Sequence, residues 1–70
     1  MLMIESYLRN VIEAALLAAG RPLTLAELGQ LFDEPSRPDE GALGAALEQL
    51  GAEYAERGIE LKQTASGWRV

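Results

Sequence analysis

The stretch Leu23-Thr24-Leu25-Ala26-Glu27-Leu28, the break at Asp33-Glu34-Pro35-Ser36-Arg37, and the run from Pro38 to Arg57 decide the fold. Thr24 followed three residues later by Glu27 is a capping box: the Thr hydroxyl accepts from the Glu27 amide, and the Glu27 carboxylate accepts from the Thr24 amide. A helix is therefore expected to begin at Leu25. Leu25, Leu28, Leu31 and Phe32 recur at helical spacing and give it one oily side. Pro35 and Pro38 end it, because the residue before a proline is pushed out of the helical region. Pro38 then falls in the first turn of a longer helix, where a missing amide costs nothing. In that helix Leu43, Leu47, Leu50 and Tyr54 lie on one narrow stripe. Gly58 after Arg57 reads as a left-handed cap, with a cation at the negative end of the helix dipole.

Outward from this pair, Ile59-Glu60-Leu61-Lys62-Gln63 alternates apolar and polar, the period of a half-buried strand. Thr64-Ala65-Ser66-Gly67 is a turn, and Trp68-Arg69-Val70 resumes the alternation. Upstream, residues 4 to 19 form a first helix with Ile4, Leu8, Val11, Ile12, Ala15 and Ala19 on one side and Leu16 at its margin, ended by Gly20. Its second half, Ala14 to Ala19, is apolar nearly all round. Two accounts of that remain open: coverage within a three-helix core, or an added surface for a partner. Arg21-Pro22-Leu23 is long enough only to add a few backbone bonds to a sheet edge. The sum is an α+β fold, a winged helix-turn-helix of three helices with a small antiparallel sheet as the wing.

Seventy residues make one small domain, and a chain of that size buries only about 60% of its unfolded surface. Small domains commonly add disulfides, metals or association. With no Cys and no His, association is the staple left, and thiol chemistry and the commonest general base are excluded. No basic segment precedes an apolar run at the start, and the uncharged stretch Ala14 to Gly20 is far short of a membrane span. A soluble cytoplasmic protein is the expectation. A last strand that stops at Val70 further suggests that more protein follows it.

The run Ile12-Glu13-Ala14-Ala15-Leu16-Leu17-Ala18-Ala19-Gly20-Arg21-Pro22-Leu23-Thr24-Leu25-Ala26-Glu27-Leu28 resembles the opening of the bacterial segregation and condensation protein B family. Leu47-Glu48-Gln49-Leu50, Glu53-Tyr54, Arg57-Gly58-Ile59-Glu60-Leu61 and Gly67-Trp68-Arg69-Val70 are similar to that family's third helix and wing. The resemblance spans residues 12 to 70 and rests on order and spacing together. It implies that residues 1–70 are the N-terminal one of two winged-helix domains. It also implies a non-enzymatic accessory subunit of the condensin complex, dimeric and bound to the kleisin subunit, which bridges the SMC ATPase, in the cytoplasm at the nucleoid.

Candidate sites follow from both readings. Six basic against eleven acidic residues give a net charge of −5, opposite to the balance of domains that take their affinity from phosphates. The helix after Pro38, which would enter the major groove, carries Asp39, Glu40, Glu48, Glu53 and Glu56 against Arg57 alone. No direct nucleic-acid contact is expected from it. Lys62 and Arg69 on the wing are the remaining DNA candidates and support an alternative, a regulator that contacts DNA through its wing; a solvated sheet face is the plainer account of both. The apolar N-terminus, with Ile4, Tyr7, Leu8 and Val11, is the expected dimer surface. Gly44 and Gly51, with Ala55 on the same side and Trp68 on the wing, form a candidate partner surface. Interior glycine costs a helix about 1 kcal/mol against alanine; close approach of another backbone explains these two, and so does compositional bias. Trp68 reads either as a cover for the end of the core or as an interface anchor. Asp33 and Glu34 are a polar connector before they are a chelator, so neither metal, cofactor nor catalysis is expected.

Overall fold

Threonine, aspartate and glycine set the helix ends. In the computed structural model, which describes residues 4–34 and 36–70 and leaves aside the side chains of residues 4–6, the elements are α1 (Ile4–Ala19), α2 (Leu25–Gly29), α3 (Glu40–Glu56), β1 (Lys62–Thr64) and β2 (Gly67–Arg69). The capping box forms as expected, with the Glu27 amide donating to Thr24 Oγ1 at 3.1 Å and the Thr24 amide to Glu27 Oε1 at 2.9 Å. Gly20, at φ +68°, turns the chain out of α1. After α3, Gly58 at φ +74° lets its own amide reach Ala55 O and the Ile59 amide reach Tyr54 O, the paired bonds of a Schellman cap.

In the helices three details depart from the reading of the sequence. α2 stops at Gly29, because the Leu31 and Phe32 amides bond three residues back, to Leu28 O and Gly29 O. That tighter winding rotates Leu31 off the oily side and leaves it 48% exposed. Pro38 lies ahead of α3 rather than in its first turn; Asp39 is the cap, its Oδ1 accepting from the Ala42 amide at 2.8 Å. Leu16, expected at the margin of α1, sits on the buried stripe with Leu8 and Ile12.

Among the described residues the core is one cluster: Leu8, Ile12 and Leu16 from α1, Leu23, Leu28 from α2, and Leu43, Ala46, Leu47, Leu50 and Tyr54 from α3. Ile12, Leu28, Leu43, Leu47 and Leu50 are sealed from solvent, each contributing about 1.5–3 kcal/mol of burial. Over them β1 and β2 pair antiparallel in the register Lys62 with Arg69, Gln63 with Trp68 and Thr64 with Gly67. The predicted strand over Ile59–Gln63 thus begins late, at Lys62, since Ile59 is taken up by the cap. Leu23 closes the far edge through both backbone bonds to Trp68, at 2.8 and 2.7 Å. Helix, one-residue bridge, helix, helix and hairpin make up the α+β winged helix.

Candidate functional site

A polar clamp fixes how α1 lies on α3. Arg9 reaches Glu13 on its own helix and Glu53 on α3, and the buried Tyr54 hydroxyl donates to Glu13 Oε2 at 2.6 Å. The Tyr54 bond first, and the Arg9 charge with it, hold the Glu13 carboxyl below its ordinary range. Burial, followed by the bond to Glu13, pushes the Tyr54 phenol up to about 12. Both groups are therefore held in the forms that keep the bond at neutral pH. Among the described residues, the charges on this side of α1, Arg9 and Glu13, are satisfied within the fold.

The opposite side of α1 is apolar and open. Tyr7 is 62% exposed and Leu17 61%, the two most exposed large apolar side chains described. Tyr7 stands edge-on to Phe32, ring centres 6.4 Å apart at 71°. Together with Leu8, Leu31, Asp33, Ser36 and Pro38 they line an open groove of about 750 Å³ between α1 and the connector to α3. Arg37 braces that connector, donating to Phe32 O at 3.2 Å and pairing with Glu34 at 3.3 Å. The groove wall is largely apolar, with Asp33 and Ser36 as polar members.

Of the dimer candidates, Tyr7 is on this open side, Val11 is half-buried, and Leu8 points into the core; the Ile4 side chain lies outside the described residues, as do Met1, Leu2 and Met3. Among the partner candidates, Ala55 is exposed. Added bulk at Gly44 would meet nothing within 4 Å, whereas at Gly51 it would touch Leu61 at 3.7 Å. Trp68 is half-buried and packs against the core. Lys62 and Arg69 are exposed and directly opposed across the hairpin, so both point to one face. Neither forms an ion pair among the described residues. Among those residues no cluster of three or more carboxylates could hold a metal ion, and no helix is long and apolar enough to cross a membrane.

Sequence reasoning left a partner surface over Ala14 to Ala19, Leu17 among them, as one of two open accounts, and passed over Leu31 and Phe32 as groove residues. The signal for Leu17 was present, since Tyr7, Asn10, Ala14 and Leu17 are spaced three, four and three. Leu31 had none, because its exposure depends on where α2 ends.

Comparison with known proteins bears on what such a surface serves. No solved structure matches the chain. Residues 10–70 match the family described as segregation and condensation complex subunit ScpB. A segregation and condensation protein B homolog from Coxiella burnetii (strain RSA 493 / Nine Mile phase I) is 46% identical over 59 residues, which cover 84% of this chain. They cover 28% of that relative, so the chain spans less than a third of its length. The aligned region takes in most of α1, the capping box, the core stripe of α3 and the wing, and on that extent of agreement the chain belongs to the segregation and condensation complex subunit ScpB family.

Proposed function

We propose that this domain is a non-catalytic scaffold of the chromosome segregation and condensation machinery, the N-terminal winged helix of a two-domain subunit that self-associates and binds the kleisin of an SMC complex. The observation that carries the reading is the outer surface of α3. Asp39 caps its N-terminus and Glu40, Glu48 and Glu56 are exposed along it, so the helix that reads bases in other winged helices would meet phosphates with carboxylates. Its apolar exposure lies instead on α1 and the groove beside it, as protein contacts require. Family membership supports the same direction.

A second reading has one observation in its favour, Lys62 and Arg69 opposed across the hairpin with no ion pair among the described residues, and makes the domain a wing-led DNA binder. Titrating the domain with the kleisin subunit and, separately, with a short DNA duplex while following Trp68 fluorescence separates the two. Kleisin binding that persists in added salt, without duplex binding, is expected. Duplex binding that falls steeply with salt and is lost in Lys62→Glu would sink the scaffold in favour of the wing.

A further inference from the structure

Of the six basic residues in this acidic chain, Arg9 is held by Glu13 and Glu53, and Arg37 by Glu34 and the Phe32 carbonyl. Three others collect at the end of the fold where α1 stops and the hairpin finishes. Lys62 and Arg69 face each other across β1 and β2. Arg69 and Arg21 line one notch, together with Leu16, Leu17, Gly20 and Val70. Leu16 is its buried floor, and Leu17 and Val70 are exposed walls. Gly20 leaves it open, since bulk added there would meet nothing within 4 Å. No acidic side chain lines the notch, and its volume of about 170 Å³ has room for one aliphatic side chain.

We propose that this notch takes an acidic peptide segment of a partner protein. One apolar side chain of the segment sits on Leu16 between Leu17 and Val70, while carboxylates on either side of it reach Arg21 and Arg69. The proposal goes beyond the scaffold reading, which assigns no partner to this end of the fold. Charge complementarity carries it: an apolar recess edged by cations, on a chain of net charge −5, selects a ligand that is apolar at its centre and acidic at its flanks. Both cations can turn to such a ligand. Arg69 makes no ion pair among the described residues. Arg21 pairs with Glu27 at 3.1 Å, but both side chains are open to solvent, and exposed pairs contribute little. When Arg21 leaves, Glu27 still accepts from the Thr24 amide, so the start of α2 is undisturbed. Each guanidinium can then hold a carboxylate through two parallel bonds.

Nucleic acid is the poorer match. A phosphate leaves the apolar floor uncovered, and no aromatic side chain lines the notch for a base to stack on. A polyanion long enough to run beyond the three cations also meets a surface of its own sign.

Amide chemical shifts of the isotopically labelled chain, titrated with the blocked peptide Asp-Glu-Leu-Asp-Glu, test the site. Saturable shifts confined to Leu17, Gly20, Arg21, Arg69 and their neighbours are expected. The peptide with serine in place of leucine should bind about tenfold more weakly, the measure of one buried leucine. Arg21→Gln and Arg69→Gln should each weaken the leucine peptide about threefold; both side chains are exposed, and circular dichroism checks that the variants keep their helices. Equal binding of the serine peptide reduces the site to charge alone and overturns the proposal, as does an absence of shifts at the notch. A short DNA duplex that moves the same amides at lower concentration than the peptide assigns the notch to nucleic acid instead. Shifts there that change when the chain alone is diluted assign it to a second copy, and either result likewise overturns the acidic peptide.

Discussion

A Cβ on Gly67 would stand 2.3 Å from both the carbonyl carbon and the oxygen of Leu23, and φ there is +130°. The hairpin and the Leu23 bridge can coexist only because that methyl group is missing. Gly67→Ala should therefore cost at least ~2 kcal/mol, read as a lowered urea midpoint. Gly44→Ala makes the opposite prediction. Its new methyl meets nothing within 4 Å in a helix interior, so the midpoint should rise by about 1 kcal/mol equivalent. The sequence placed Gly67 in a turn and Gly44 in a helix, but the backbone that crowds Gly67 comes from Leu23, far from it in sequence. Thr24 and Glu27 were legible because both partners of their bonds lie within one turn. Asp39 was equally local, but Pro38 beside it drew the helix start to the wrong residue.

Among the elements, the long helices could be read most fully. The stripe Leu43, Leu47, Leu50 and Tyr54 is buried as its spacing required, and α1 spans residues 4 to 19 as expected. The boundaries of α2 and β1 shifted because a tight turn and a helix cap each consumed residues that the apolar pattern had assigned to the element. How α1 seats on α3 was hidden, since Glu13 and Tyr54 are far apart in sequence and meet only in the fold. That contact sets the pH response. Glu13 titrates below its ordinary value in the folded chain, so its contribution is present above the unfolded value and is lost as pH falls through the folded one. Tyr54 is raised from 10.0 to about 12, so its contribution is complete below pH 10 and is lost as pH climbs toward 12. Stability against pH should show a plateau with both an acid and an alkaline shoulder. Tyr54→Phe should remove the alkaline shoulder, lower the plateau by about 1–2 kcal/mol and weaken the acid one.

For the molecule as a whole, the excess of acid over base is a standing self-repulsion. Moderate salt should raise the thermal midpoint, because screening relieves the exposed carboxylates more than it weakens the half-buried Arg9 clamp. A midpoint that falls with salt would assign the dominant electrostatics to the ion pairs instead. The class of fold and the acidic outer surface of α3 were both legible in the sequence, because pattern and charge are properties of composition and order. The open side of α1 was legible only as two fragments, Tyr7 and the apolar run Ala14 to Ala19, because exposure is known only when every other element has taken its place. The bridge between Leu23 and Trp68 also has a consequence for synthesis. It joins the link between α1 and α2 to β2, so on the ribosome α1, α2 and α3 emerge before the strand that Leu23 pairs with. The sheet closes last, and until Trp68 has cleared the exit tunnel the nascent domain shows its unfinished core to whatever waits there.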